Sequence, residues 1–230
     1  MPDKIRVTIL DDHQSIVDGY LYRLKNKPGI EVVAAITFGE QLEPTLAQYP
    51  TDILLLDFSV PTGPLNQNLY PTLTLIPRLL QLYPDLDIIV ISMFTERGLI
   101  RAVMEAGASG YIIKDDSAAI QNLENIIHSV AAGGIYLSEK VSNIFQKHNG
   151  RNSDELLTHR QLEVLLLCAM FPNDKTADFA RKMTVSNSTV RNLLSGAYLR
   201  LGVNTRAAAI EKARGLSLLP ADFRTTARAR

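Results

Sequence analysis

Tryptophan is absent from this 230-residue chain and cysteine occurs once, at Cys168. A single thiol excludes a disulfide framework, and its setting in Leu165-Leu166-Leu167-Cys168-Ala169 makes it a core residue. No uninterrupted apolar run approaches the roughly 20 residues that a membrane helix needs. The opening Met-Pro-Asp-Lys-Ile-Arg-Val lacks the apolar centre of a signal peptide, so the expected compartment is the cytoplasm. There is no Gly-rich phosphate loop. His13, His128, His148 and His159 are scattered without the spacing of metal ligands. These absences set aside secreted disulfide scaffolds, membrane spans, P-loop nucleotide chemistry and zinc sites.

The formal net charge is zero, but it is unevenly spread. Residues 1–150 hold 11 Lys+Arg against 17 Asp+Glu, a balance of −6; residues 151–230 hold 13 against 7, a balance of +6. The chain is long enough for two domains, and opposite signs give them different work. The basic part is the candidate for a polyanion.

In the acidic part, Ile53-Leu54-Leu55-Leu56 reads as a strand buried on both faces, ending on Asp57. Ile5–Leu10, Glu31–Ala35, Ile88–Ile91 and Tyr111–Ile113 are further strands, and helical patterns alternate with them. Ser117 is the expected N-cap of a last helix running through Ala132. Five βα units predict a parallel sheet covered on both faces. Each distinctive polar residue falls at a strand's C-terminal end: Asp11 and Asp12, Asp57, Ser92, and Lys114. In a parallel sheet these ends share one edge, where ligands bind. Clustered carboxylates need a cation, and oxygen donors suit a hard one such as Mg²⁺. Such a site leaves Asp57 as a nucleophile toward phosphorus, with Lys114 neutralising the transferred oxygens and Ser92 hydrogen-bonding one of them.

Asp11-Asp12-His13, Leu54-Leu55-Leu56-Asp57, Val60-Pro61, Ser92 and Gly107-Ala108-Ser109-Gly110-Tyr111-Ile112-Ile113-Lys114-Asp115 together resemble the receiver domain of two-component response regulators, over about residues 4–132. The resemblance implies a flavodoxin-like, five-stranded parallel α/β fold with Asp57 as phosphoacceptor. It also implies Mg²⁺ ligands in Asp11, Asp12, Asp57 and the Ser59 carbonyl. Ser92 and Tyr111 would be a switch pair, and the donor a phosphohistidine on a sensor histidine kinase. One departure is the long loop Thr62–Tyr70 beside Asp57: a surface insertion, or an element that shapes kinase choice or access.

In the basic part, Thr158 caps a predicted helix over His159–Met170, Lys175–Met183 forms a second, and Ser186 caps a third over Asn187–Leu201 that stops at Gly202. Arg206–Arg214 is a fourth. On the third helix Val190, Leu193, Leu194, Ala197 and Leu201 share about 100° of arc, and Ser188, Arg191, Asn192, Ser195 and Leu199 share the opposite side. Such a pattern fits a helix-turn-helix or an ordinary four-helix bundle. Leu157-Thr158-His159-Arg160-Gln161-Leu162-Glu163-Val164-Leu165, Val185-Ser186-Asn187-Ser188-Thr189-Val190-Arg191-Asn192 and Leu199-Arg200-Leu201-Gly202-Val203 resemble the DNA-binding domain of LuxR/NarL-type regulators, over about residues 157–214. By that resemblance the all-α four-helix domain dimerises through its last helix and binds double-stranded DNA half-sites. Arg191, Asn192 and Ser195 match groove contacts, and Ser186, Thr189 and Arg200 match phosphate contacts. Phe171–Asp174 replaces the usual Gly-containing turn. The recognition face carries one Arg and no Lys, so phosphate attraction falls partly to Lys175, Arg181, Lys182 and Arg206.

The expected organisation is a receiver over 1–133, a linker over 134–155 with a polar hinge at 149–155, a helix-turn-helix domain over 156–216, and a disordered tail over 217–230. The expected function is transcriptional regulation switched by phosphorylation of Asp57, in a homodimer or with other protein partners and without a membrane. Its only catalysis would be its own phosphoryl transfer and dephosphorylation. The alternatives are a regulator that ignores phosphate and answers to protein partners, and a hydrolase of the haloacid-dehalogenase type. The hydrolase is disfavoured because Ser59 stands where that chemistry needs a second Asp.

Overall fold

A computed structural model describes residues 4–146, 157–216 and 218–219. The first part runs β1 (Ile5–Leu10), α1 (Gln14–Leu24), β2 (Ile30–Ile36), a 3₁₀ turn (Gly39–Gln41), α2 (Leu42–Gln48) and β3 (Ile53–Asp57). A short hairpin follows, β4 (Pro61–Gly63) and β5 (Asn66–Leu69), then α3 (Thr72–Leu82), β6 (Asp87–Ser92), α4 (Arg97–Glu105) and β7 (Gly110–Ile113). The part closes with α5 (Ser117–Gln121), α6 (Leu123–Ala131), β8 (Tyr136–Leu137) and α7 (Glu139–Gln146). The main sheet has the order β2-β1-β3-β6-β7-β8, with every pair parallel.

The run at 53–56 is apolar throughout because the sheet is covered twice. Leu54, Leu56, Ile88 and Val90 face one core layer, while Ile53, Leu55, Ile89 and Ile91 face the other. Chain order reverses between β1 and β3, which are direct neighbours with Leu10 opposite Leu56. That reversal opens the crevice into which Asp11 and Asp57 project.

Four expectations need correction. The sheet has six strands rather than five, because Tyr136–Leu137 extends its edge beside Gly110 and Tyr111. Asp116, not Ser117, caps the next helix by accepting from the Ala119 amide, and that helix is two pieces meeting at Asn122. The stretch read as a loop over 62–70 contains the antiparallel pairings Pro61 with Leu69 and Gly63 with Asn66. Residues 134–146, assigned to the linker, pair and pack against the receiver sheet, and Ile135, Leu137 and Val141 join its core. The hinge at 149–155 and the tail at 220–230 lie outside the described residues.

The second part is α8 (His159–Met170), α9 (Thr176–Met183), α10 (Asn187–Leu201) and α11 (Arg206–Gly215). Its ends are where the local chemistry puts them. The Thr158 hydroxyl accepts from the Gln161 amide while the Gln161 side chain accepts from the Thr158 amide, a reciprocal cap. Ser186 caps α10 through the Thr189 amide, and Gly202 ends it in the left-handed region at φ 66°. Among the described residues no helix is long and apolar enough to cross a membrane.

Candidate functional site

Five sequence-selected groups meet at the C-terminal edge of the sheet. Asp57 and Asp11 are buried, 4% and 1% exposed, and Asp12 lies at the rim. The Lys114 ammonium sits 2.8 Å from a carboxylate oxygen of each buried aspartate. Burial alone would depress this ammonium, but its hydrogen bonds to Asp11 and Asp57 outweigh that and hold it above the ordinary lysine range. The Asp57 carboxylate also accepts from the Ser59 amide at 3.3 Å. Ligand atoms of Asp11, Asp12, His13 and Asp57 all lie within 4.8 Å of one another. His13, which the sequence reading left aside, joins the cluster with Nδ1 2.8 Å from Asp12. Three carboxylates facing one ammonium carry excess negative charge, and their hard oxygen donors fit a divalent cation such as Mg²⁺.

Ser92 is fully buried, and its hydroxyl accepts from the Phe94 amide at 3.2 Å. Tyr111 is also fully buried and donates its hydroxyl to the Phe94 carbonyl at 2.9 Å. Burial is the main cause that pushes the Tyr111 phenol up to about 12, so it remains a donor at every ordinary pH. The Phe94 ring stacks edge-on against Phe58, with centroids 5.7 Å apart. Phe58, the neighbour of Asp57, and Phe94, two residues after Ser92, therefore touch directly, and α4 begins three residues beyond Phe94.

The side of α10 expected from the sequence to face a DNA groove is covered. Arg191 is 3% exposed: one guanidinium nitrogen donates to the Leu86 carbonyl at 2.9 Å, and another lies 2.8 Å from Asp87. Ser195, with no exposed surface, donates to the Met104 carbonyl on α4 at 3.3 Å. The periodicity correctly separated this side of α10 from the helical domain's own core, but in this conformation it packs on the receiver rather than facing solvent. Asn192 is half-buried, whereas Ser186, Thr189 and Arg200 are exposed. Arg206 donates to the carbonyls of Gly133 and Asp174, bridging the two parts at a second point. Arg181 and Lys182 are ion-paired with Asp178 and Asp174.

Sequence reasoning missed Asp87 and Ser109. Ser109 donates to Asp87 at 2.7 Å, completing a Ser109–Asp87–Arg191 chain. Burial holds the Asp87 carboxyl above the ordinary carboxylate range, although Arg191 and Ser109 both pull the other way. A cleft of about 340 Å³ adjoins this chain, lined in part by Asp85, Asp87, Lys175 and Arg191. The only hint in the sequence was an acid heading an otherwise apolar strand.

Comparison with known proteins fits this geometry. Residues 7–128 match the family described as the response regulator receiver domain. The transcriptional regulatory protein DegU of Brevibacillus brevis is 30% identical over 228 residues, covering 90% of this chain and 92% of DegU. The chain is a response regulator of the NarL/FixJ type. The oxygen regulatory protein NreC of Staphylococcus aureus is 27% identical to this response regulator over 225 residues, covering 94% of it and 99% of NreC. Among solved structures, the Salmonella typhimurium response regulator RcsB superposes with a TM-score of 0.55 at 23% identity, over 93% of this chain and 99% of that one. An RcsB–DNA complex gives 0.56 at 24% identity, over 93% and 100%. The fold is thus that of two-domain regulators, with a hairpin after the strand that bears Asp57 and with His13 inside the acidic cluster.

Proposed function

We propose that this response regulator is a DNA-binding transcription factor whose recognition helix is held against its own receiver until Asp57 is phosphorylated. The observation that carries the reading is the burial of Arg191 and Ser195, two positions that match groove contacts, on Leu86, Asp87 and Met104. DNA and the receiver compete for one face of α10, so binding requires the two parts to separate. The cleft beside Asp87 supports separability, since an incompletely packed joint opens at lower cost than a continuous core.

An Asp57 oxygen would attack the phosphorus of a phosphohistidine as the bond from nitrogen to phosphorus breaks, leaving an acyl phosphate on Asp57. Lys114 is placed to pair with the new phosphoryl oxygens. Mg²⁺ held by Asp11, Asp12, Asp57 and the Ser59 carbonyl would supply the remaining charge neutralisation. The Ser92 hydroxyl is the nearby donor for a phosphoryl oxygen, and turning toward it costs the bond from the Phe94 amide. Phe94 also anchors Tyr111 and precedes α4, whose Met104 carbonyl holds Ser195. Phosphorylation thereby biases an existing equilibrium between closed and open arrangements, and apparent DNA affinity follows the open fraction. A homodimer through α11 would present two recognition helices to paired half-sites.

Intact mass and DNA affinity, measured on the same samples after incubation with acetyl phosphate and Mg²⁺, test this. Wild type is expected to gain one phosphoryl mass and bind DNA more tightly, and Asp57→Asn to do neither. Tight binding by both proteins, with no mass gain in either, would favour control by protein partners instead.

Arg181 and Lys182 are ion-paired within the helical part, which leaves fewer cations to meet DNA phosphates. A plot of log affinity against log salt is expected to be shallower than about −6 per dimer, and a steeper slope would contradict this assignment.

A further inference from the structure

We infer that the β4–β5 hairpin is the surface that selects the protein phosphodonor for Asp57, through an uncharged contact centred on Leu65 and Leu69. The inference rests on Asp57 being the phosphoacceptor. Residues 58–77 contain no charged side chain or histidine, in a chain where 21% of residues are charged. Leu65 is fully exposed and Leu69 is 62% exposed, on a loop that otherwise offers the amides of Asn66, Gln67 and Asn68.

The hairpin is rigidly built. Its base closes with the Tyr70 amide donating to the Val60 carbonyl, and the Thr72 hydroxyl donates to the carbonyl of Phe58, the neighbour of Asp57. It lies flat on the 3₁₀ turn. A Cβ on Gly39 would stand 2.2 Å from the Tyr70 ring, and one on Gly63 would stand 2.6 Å from the Glu40 carboxylate. Glu43 accepts from the Tyr70 hydroxyl and pairs with Arg78, which fastens the far side. Two leucines are thus held out to solvent on a braced frame, which is how a preorganised anchor differs from a loose insertion.

Its occupant follows from position and charge. Strand geometry carries the tip about 15 Å from its base, beyond the reach of a small phosphodonor in contact with Asp57. A protein delivering a phosphohistidine to a carboxylate only 4% exposed must come up against this rim. Without a cation the hairpin lacks the charge that draws a protein surface to DNA phosphates. It fits an apolar, uncharged surface flanking the donor histidine.

The test uses the full chain and Leu65→Asp/Leu69→Asp, whose two sites are exposed and whose folding is checked by thermal melting. Each protein receives phosphate from acetyl phosphate with Mg²⁺, and from purified autophosphorylated histidine-kinase domains encoded by the same genome. The expected result is a loss of about tenfold or more in transfer from the kinase fastest on wild type, the scale of losing an anchor contact. The acetyl phosphate rate stays unchanged. Equal loss from both donors, no loss from either, a change in oligomeric state, or no kinase active on wild type would each overturn the proposal. If wild type accepts phosphate from neither source, the assignment of Asp57 itself fails, a separate outcome.

Discussion

Asp87→Asn is expected to tighten DNA binding by the unphosphorylated chain. In the closed arrangement Asp87 is the only carboxylate within ion-pair distance of Arg191 among the described residues. The arginine is itself 3% exposed, so loss of that charge leaves a guanidinium buried with the Leu86 carbonyl but no anion. Removing one member of a buried pair costs about 3–5 kcal/mol, and asparagine, which keeps an acceptor for Ser109 and Arg191, brings this to about 1–3 kcal/mol. The open state bears no such cost, because there Arg191 is solvated. The open-to-closed ratio should therefore rise roughly 5- to 150-fold, up to the ceiling set by the fully open protein. Fluorescence anisotropy on a duplex selected from a random pool measures it. Unchanged affinity with unchanged thermal stability would mean that the Asp87–Arg191 pair does not hold the closed state. The pair is thus a latch that favours closure only while both of its charges are present.

Arg191→Ala should act unequally in the two states. Fully phosphorylated protein should lose about 1–3 kcal/mol of DNA affinity, with relaxed preference at one base pair, if Arg191 reads a guanine edge. In unphosphorylated protein part of that loss is offset, because the substitution also frees α10 from Asp87. The ratio of phosphorylated to unphosphorylated affinity should therefore shrink. Titrations against matched and single-mismatch duplexes in both states separate the effects. Equal loss on every sequence would make Arg191 a phosphate contact, and an undiminished ratio would remove it from the latch.

How much of this was legible in the sequence follows from the range of the forces involved. The strand bearing Asp57 and its neighbour β6 were plain because burial on both faces demands continuous apolar runs. The boundaries of α8 and α10 were plain because Thr158, Ser186 and Gly202 act within one turn of their own helices. β8 has two residues, too few to show a pattern. The β4–β5 hairpin was hidden because Asn66–Leu69 lies wholly exposed, with no buried face to impose alternation. Asp11, Asp57, Ser92 and Lys114 could be placed together because a parallel sheet aligns its strand ends. The covering of Arg191 and Ser195 could not be read, since Leu86 lies 105 residues from Arg191 and the contact depends on how two folded units meet. Local pattern showed which face of α10 lies outside its own core, but not what would cover it.

The most direct test of the closed arrangement needs no DNA. Ser195 is fully buried against the Met104 carbonyl, and the native Cys168 is buried as well, so Ser195→Cys reports on opening over a low background. Its rate of thiol labelling should be slow in the unphosphorylated protein and should rise with acetyl phosphate and Mg²⁺. The rise should vanish when Asp57→Asn is added. A thiol that reacts freely before phosphorylation, or at the same rate before and after, would contradict the account.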